Sequence, residues 1–393
     1  MGRVDVRAAA IGACVAIAAT CAVYATQPLW APGPGVASAP SAGPTTRQPT
    51  APAPGAPGTT SPGAGAASTG PDGVRLSDDV RARVLAAVRG PVVLDPGSLE
   101  RRTVQRAALV VASSPTIALD ADTGTWVRLV LPADVRLENV RLSPDGTRLL
   151  RTYPRLESIP LAGGTPTRIE LDAGLPAGPD TDCLVQDAAW SRDGARIAAT
   201  FGCLTFGSRR ELAEAHTHVL REASLTDGRA RTVERVDGYP SESYPSYSPD
   251  DAHVVTGFSS SDQPYAVRTV ATDGTAPFTW DDTHVVYGDP WRDARTVLVW
   301  DEAVAPTEPG AHALLDVVTG TKTPLPVAGL ANLLGYVGGR LTVRGPLTAG
   351  CDVDACFVDP ASGAIDPWLD LPGGDEGAPV VLAAWGLIRS ATG

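Results

Sequence analysis

The chain has 393 residues, with 41 Gly, 36 Pro, 19% charged side chains and a formal net charge of -12. So many turn formers exclude a helix-dominated enzyme, and the acidic balance excludes nucleic acid as the main partner, because phosphate binding needs a basic field. Lys322 is the only Lys, and with the Ala, Gly and Pro content this indicates a GC-rich genome.

Arg3 and Arg7 precede an uncharged apolar run of 18 residues, Ala8 to Ala25. A basic start followed by such a run is an export signal. Val23 and Ala25 form a small-x-small site. Residues 1–26 therefore read either as a signal peptide cleaved after Ala25 or as a transmembrane anchor with its N-terminus inside. Residues 27–74 form a linker; from Pro28 to Gly73 there are 11 Pro and 9 Gly, and only Arg47 and Asp72 are charged. Its large apolar side chains are Leu29, Trp30 and Val36 alone, too few to offset the entropy of ordering. It is expected to be a disordered tether.

Residues 75–106 are expected to hold a helix and a lead-in. Ser77 suits an N-cap, Asp78 and Asp79 favour the positive end of the helix dipole, and Gly90 suits the end. Val80, Val84, Leu85 and Val88 fall on one face, which predicts packing against the following domain.

Residues 107–393 contain a repeat. Val140-Arg141-Leu142-Ser143-Pro144-Asp145-Gly146 matches Ala188-Ala189-Trp190-Ser191-Arg192-Asp193-Gly194 and Pro245-Ser246-Tyr247-Ser248-Pro249-Asp250-Asp251. A degenerate fourth copy ends at Asp293, and a fifth turn centres on Gly338-Gly339. Spacings of 48, 57 and 43 residues between the motif Asp residues indicate propeller blades. Pro presets φ for the second turn position, Asp bonds nearby backbone, and Gly takes a left-handed conformation. Asp145, Gly146, Asp193, Gly194, Asp250 and Asp251 are therefore read as hairpin turn formers rather than catalytic acids. Further strand pairs follow each motif, separated by Gly-Gly, Asp-Gly or Thr-Gly turns.

The Ser-Pro-Asp-Gly turns behind aliphatic or aromatic residues resemble the TolB-type, WD40-like propeller repeat family, best over Val135 to Val327. The pattern departs from the family at Arg192, at Asp251 and through the fourth turn. The resemblance implies a propeller and often an envelope setting, and it carries over no catalytic residue. The expected fold is all-β: a six-bladed propeller, or alternatively a seven-bladed one, of four-stranded antiparallel blades. Leu109 to Leu131 supplies strands before the first motif. Val380 to Ala384, extended to Leu387 and Ile388, supplies one after the fifth. The two chain ends are expected to share the sixth blade and so remove free sheet edges.

Cys183 and Cys203 lie 10 residues either side of Asp193, opposite each other in a hairpin centred there. Cys351 and Cys356 bracket a short loop. In an exported protein each couple is expected to form a disulfide. His216 and His218 would share one face of a strand, beside an insertion from Thr205 to Ala215; without a third ligand they read as a solvated pair. No metal and no cofactor is expected. The sequence has no G-x-S-x-G elbow, phosphate loop or H-E-x-x-H.

Six residues before each motif Asp lie Asn139, Asp187, Tyr244 and Tyr287. They occupy equivalent starts of innermost strands and are the candidate ligand contacts at one mouth of the axial channel. The reading is a non-catalytic, extracytoplasmic, monomeric module that binds an envelope protein, peptide or glycan and meets the membrane only through its N-terminal segment. The alternative is a lactonase- or lyase-like enzyme using the same mouth, with Asp187 and Glu138 as the nearby acids.

Overall fold

The computed structural model describes residues 76–392 apart from 133–134, 136–139, 154, 176–180, 207–212, 238–243, 259–265, 274–277, 287, 302–303, 305–309, 327–332, 346–347, 349 and 373–379. The export segment and tether expected over residues 1–74 lie outside the described residues.

Six sheets form six blades. Blade 1 comprises Val140–Leu142, Arg148–Arg151, Glu157–Pro160 and Thr167–Arg168. Blade 2 comprises Thr181–Trp190, Arg196–Phe206, Ala213–Ser224 and Ala230–Asp237. Blade 3 comprises Ser246–Tyr247, His253–Phe258, Ala266–Ala271 and Phe278–Asp281. Blade 4 comprises Thr283–Val285, Thr296–Asp301, His312–Asp316 and Lys322–Pro324. Blade 5 comprises Leu333–Val337, Arg340–Arg344, Ala355–Val358 and Ile365–Asp370. In each, consecutive strands pair antiparallel, from the innermost strand outward. Strands near the axis are covered on both faces by neighbouring blades, so they read as continuous apolar runs; all of Leu333–Val337 is buried. The outermost strands are wet, as in Thr167–Arg168.

Blade 6 closes the ring. Val380–Ala383 pairs antiparallel with Ala107–Ala112, joining Val380 to Ala112 and Ala383 to Leu109. Ile117–Asp120 and Trp126–Leu129 complete it. The shared sixth blade expected from the sequence is present. Leu387 and Ile388, however, do not extend its last strand. They belong to a helix, α2 (Trp385–Thr392), whose buried Leu387 and Ile388 cap the end of the core. The Gly386 N–H donates to Pro144 O at 2.9 Å, which turns the chain across the ring.

The lead-in does more than connect. Helix α1 (Asp78–Arg89) is capped by Ser77, whose Oγ accepts from the Val80 N–H, and it buries Val80, Val84, Ala87 and Val88. Leu85 is only partly buried, and Ala87 takes the expected place. Trp368 Nε1 donates to Ala87 O at 2.8 Å. Two short strands then run parallel to outer edges: Val92–Val93 beside Leu369 and Asp370 of blade 5, and Arg101–Arg102 beside Arg128 and Leu129 of blade 6. They cover edges that would otherwise invite another chain.

The motif turns lie where the sequence places them, between the first two strands of blades 1, 2 and 3. Ser143 Oγ donates to Asp145 Oδ1 (2.6 Å) and accepts from the Arg148 N–H (2.9 Å), while Asp145 Oδ1 accepts from the Thr147 N–H (3.1 Å). The same three bonds recur at Ser191 and Asp193 (2.6, 2.8 and 2.9 Å) and at Ser248 and Asp250 (2.6, 2.9 and 3.1 Å). Gly146 and Gly194 have φ of 71°, and Asp251 takes φ 59° in the glycine position. The Ser clamp, not anticipated from the sequence, is as regular as the Asp. In the fourth turn Asp293 caps the N–H groups of Arg295 and Thr296 with no Ser.

That turn departs from the pattern because its approach is committed elsewhere. Asp289 bridges in parallel to Gly335 of blade 5, with Tyr336 N–H donating to Asp289 O at 2.7 Å. Two backbones touch there: a Cβ on Gly288 would lie 2.2 Å from Leu334 O, and one on Gly335 would lie 2.3 Å from Asp289 O. Both glycines also have positive φ, 96° and 86°. We expect Gly335→Ala to cost more than about 3 kcal/mol in urea unfolding, since backbone must move and φ is strained. Gly163→Ala is the control: its φ is 88° but nothing lies within 4 Å, so the cost should stay near 1–2 kcal/mol.

Candidate functional site

The innermost strands of blades 1, 2, 3, 5 and 6, with Gly288 and Asp289 after that of blade 4, line an axial cavity of about 90 Å³. Arg141, Trp190, Arg192, Asp289, Tyr336 and Trp385 are among its lining residues. A polar network crosses the end nearest the turns. The Arg192 guanidinium reaches across the axis from blade 2 and donates twice to the Asp289 carboxylate, at 2.9 Å to each oxygen. Its Nε donates to Tyr247 O at 3.1 Å, and Trp385 of α2 lies against its face at 4.6 Å. A guanidinium on an indole face gains cation–π attraction as well as packing.

Arg192 stands where the repeat has Pro, so its backbone carries an N–H that Pro would lack. That N–H donates to Asp251 Oδ1 at 2.6 Å, and the Asp193 N–H donates to Asp251 Oδ2 at 3.0 Å. Asp251 itself stands where the repeat has Gly. The departures at Arg192, Asp251 and the fourth turn thus meet in one network. Burial pushes the Asp289 and Asp251 carboxyls up; Arg192 pulls Asp289 back, and the donated N–H groups pull Asp251 back.

Of the four candidate contacts, Asn139 and Tyr287 lie outside the described residues, as does Glu138. Tyr244 is half-buried at the entry to blade 3. Asp187 is buried beside a bulge in the first strand of blade 2. Its Oδ2 accepts from Arg141 of blade 1 at 2.5 Å and its Oδ1 from the Ala188 N–H at 2.8 Å. Burial raises the Asp187 pKa, and Arg141 opposes that rise. It is an inter-blade strut.

Both disulfides are formed, Cys183–Cys203 and Cys351–Cys356. The two ends of the Thr205 to Ala215 insertion belong to strands, Arg196–Phe206 and Ala213–Ser224, and 207–212 lie outside the described residues. His216 and His218 do share a face, opposite Leu204 and Gly202. They are not a solvated pair, because His218 is only 1% exposed. Both its ring nitrogens lack hydrogen-bond partners, and burial with nearby Arg268 lowers its pKa from 6.5 to about 4. No cluster of three metal-ligating side chains occurs among the described residues.

A further buried acid was not legible in the sequence. Glu222 accepts from Tyr247 Oη (2.8 Å), Arg196 (3.0 Å) and Arg231 (2.8 Å), pinning blade 2 to blade 3. Its only sequence signal is an acid amid a strand pattern.

Two outcomes follow. Arg192→Ala should cost about 3 kcal/mol in urea unfolding, because it strands a buried carboxylate, and Arg192→Met with Asp289→Leu should recover most of that. His218 holds its proton more weakly folded than unfolded, so its contribution is present above pH 6.5 and lost as pH falls toward about 4. The melting temperature of the wild type should therefore fall more than that of His218→Leu across this window, and parallel curves would refute it.

No family model matches the chain, and no curated protein does. Among solved structures it is similar to an oligogalacturonate lyase in complex with manganese, at 13% identity over 69% of this chain and 77% of that one, TM-score 0.46. It is similar to TolB from Acinetobacter baumannii, at 13% identity over 67% and 66%, TM-score 0.36. It is also similar to tricorn protease, at 14% identity with TM-score 0.43, covering 70% of this chain but only 30% of that one. These likenesses carry no chemistry to this chain. Its six four-stranded blades and clamped Ser-x-Asp turns make it a six-bladed β-propeller consistent with the TolB-type, WD40-like repeat.

Proposed function

We propose that this chain is an extracytoplasmic, non-catalytic binding module, tethered to the membrane or secreted, that takes a protein, peptide or glycan at the axial mouth away from the turns. The observation that carries the reading is the commitment of the axial carboxylates among the described residues. Asp187 is ion-paired to Arg141, and both oxygens of Asp289 accept from Arg192 Nη2 at 2.9 Å. General acid–base or metal chemistry needs a carboxylate free to exchange a proton or ligate. What these pairs provide instead is rigidity, with loops gathered at a mouth on a fixed frame. The two disulfides support a setting outside a reducing cytosol. The net charge of -12 favours a neutral or basic partner.

Crosslinking in the native envelope, comparing wild type with Tyr244→Ala, tests the reading. Capture of a defined protein or sugar that falls at least about tenfold in the folded variant supports it. Turnover of a polysaccharide or lactone by the wild type, abolished in a folded Asp187→Asn variant, overturns it.

A further inference from the structure

Blade 2 is unlike the others. Its strands run 10, 11, 12 and 8 residues, whereas the innermost strands of blades 1 and 3 have 3 and 2. The innermost strands of blades 1, 2, 3 and 5 lead into the hairpin turns, so the excess of blade 2 extends from the opposite face. Thr181 to Gln186 adds about 20 Å of strand at the usual rise per residue. Helices α1 and α2 both lie at the turn side: Val88 of α1 abuts the Gly338 turn of blade 5, and α2 meets Pro144. The extension therefore stands on the face that neither helix occupies.

This extension has an unused edge. Thr181–Trp190 is the terminal strand of its sheet, and among the described residues no strand pairs with its axial side. The register decides which groups that side presents. Cys183 sits opposite Cys203 with Cα atoms 4.1 Å apart, the close spacing of a pair that exchanges no hydrogen bonds with its partner strand. Cys183 therefore turns its backbone N–H and C=O toward the axis, and by the two-residue period so do Thr181 and Val185. Cys183 and Val185 send their side chains into the cluster between blades 1 and 2. Leu184 points the other way and is 71% exposed. The disulfide locks this register.

We infer that the axial edge of Thr181 to Gln186 takes an extended peptide segment by strand addition over the channel mouth. This rests on the proposed binding function and names its ligand class. A row of alternating backbone donors and acceptors is matched by another polypeptide backbone, and a sugar does not repeat at that spacing. The edge is continuous with the mouth, since Asp187 directly follows it. The peptide it fits is extended, free of Pro at alternate positions, and carries an apolar side chain beside Leu184.

A phage-displayed library of random peptides of about ten residues, panned on the intact protein, supplies the probe. A recovered peptide is then resynthesised with N-methyl groups at alternate amides. Thr181→Pro removes an outward N–H at the first residue of a strand, where Pro is tolerated, and Leu184→Asp changes an exposed side chain, so both variants should keep the wild-type melting temperature. Affinity should fall at least about tenfold in each variant and on N-methylation. Binding that survives these changes but is lost in Tyr244→Ala overturns strand addition and leaves the mouth as a binding site. Recovery of no peptide overturns it too, and so does a wild-type dimer in sedimentation that dissolves in Leu184→Asp.

Discussion

A single antiparallel ladder between the chain's two ends holds the ring shut. Val380 to Ala383 pairs with Ala112 to Leu109, residues separated by most of the domain. Each four-stranded sheet is apolar on both faces and cannot shield itself, so every blade depends on a neighbour on each side. Without the ladder, the first and last sheets would each expose a face and an edge. Closure removes both, and the lead-in adds short parallel strands over the outer edges of the two blades nearest the join. Loop-closure entropy for so long a separation grows only slowly with length, which makes such a seam thermodynamically accessible.

The positions where the repeat loses its pattern are where the ring does something particular. Arg192 in place of Pro gains a backbone donor, and Asp251 in place of Gly supplies the acceptor. The side chain of Arg192 then reaches Asp289, which the fourth turn makes available because its backbone is already paired to blade 5. Three apparent irregularities form one network at the turn end of the axis, joined by Trp385. A buried ion pair of this kind adds little net stability over an apolar pair, but it severely penalises loss of either partner.

The two faces of the ring are consequently different. One holds the turns, both helices and the Arg192–Asp289 pair. The other holds the long strands of blade 2 and its exposed Leu184. Among the described residues, the axial acids Asp187 and Asp289 are committed to arginines.

Much of this was legible along the chain. The alternation of apolar runs with Ser-Pro-Asp-Gly or Asp-Gly turns, at spacings suited to four short strands, dictates meandering blades. The symmetric placement of Cys183 and Cys203 about Asp193 indicated their pairing, but the register set by the turn, Trp190 opposite Ile197, would put Cys183 opposite Leu204; the bulge between Val185 and Asp187 brings the two cysteines level. Local chemistry suffices for such features, since each depends on residues within one hairpin. Contacts between blades do not have that property. Arg192 and Asp289 are separated by 97 residues, Trp368 and Ala87 by 281, and no local pattern couples them. The helix at Leu387 and Ile388 likewise forms because the strand has run out of ring to pair with, and His218 is buried because a neighbouring blade covers it. Propensity decided the strands and turns; only the packing of one blade on the next decided which polar side chains would be paired, sealed in or left facing water.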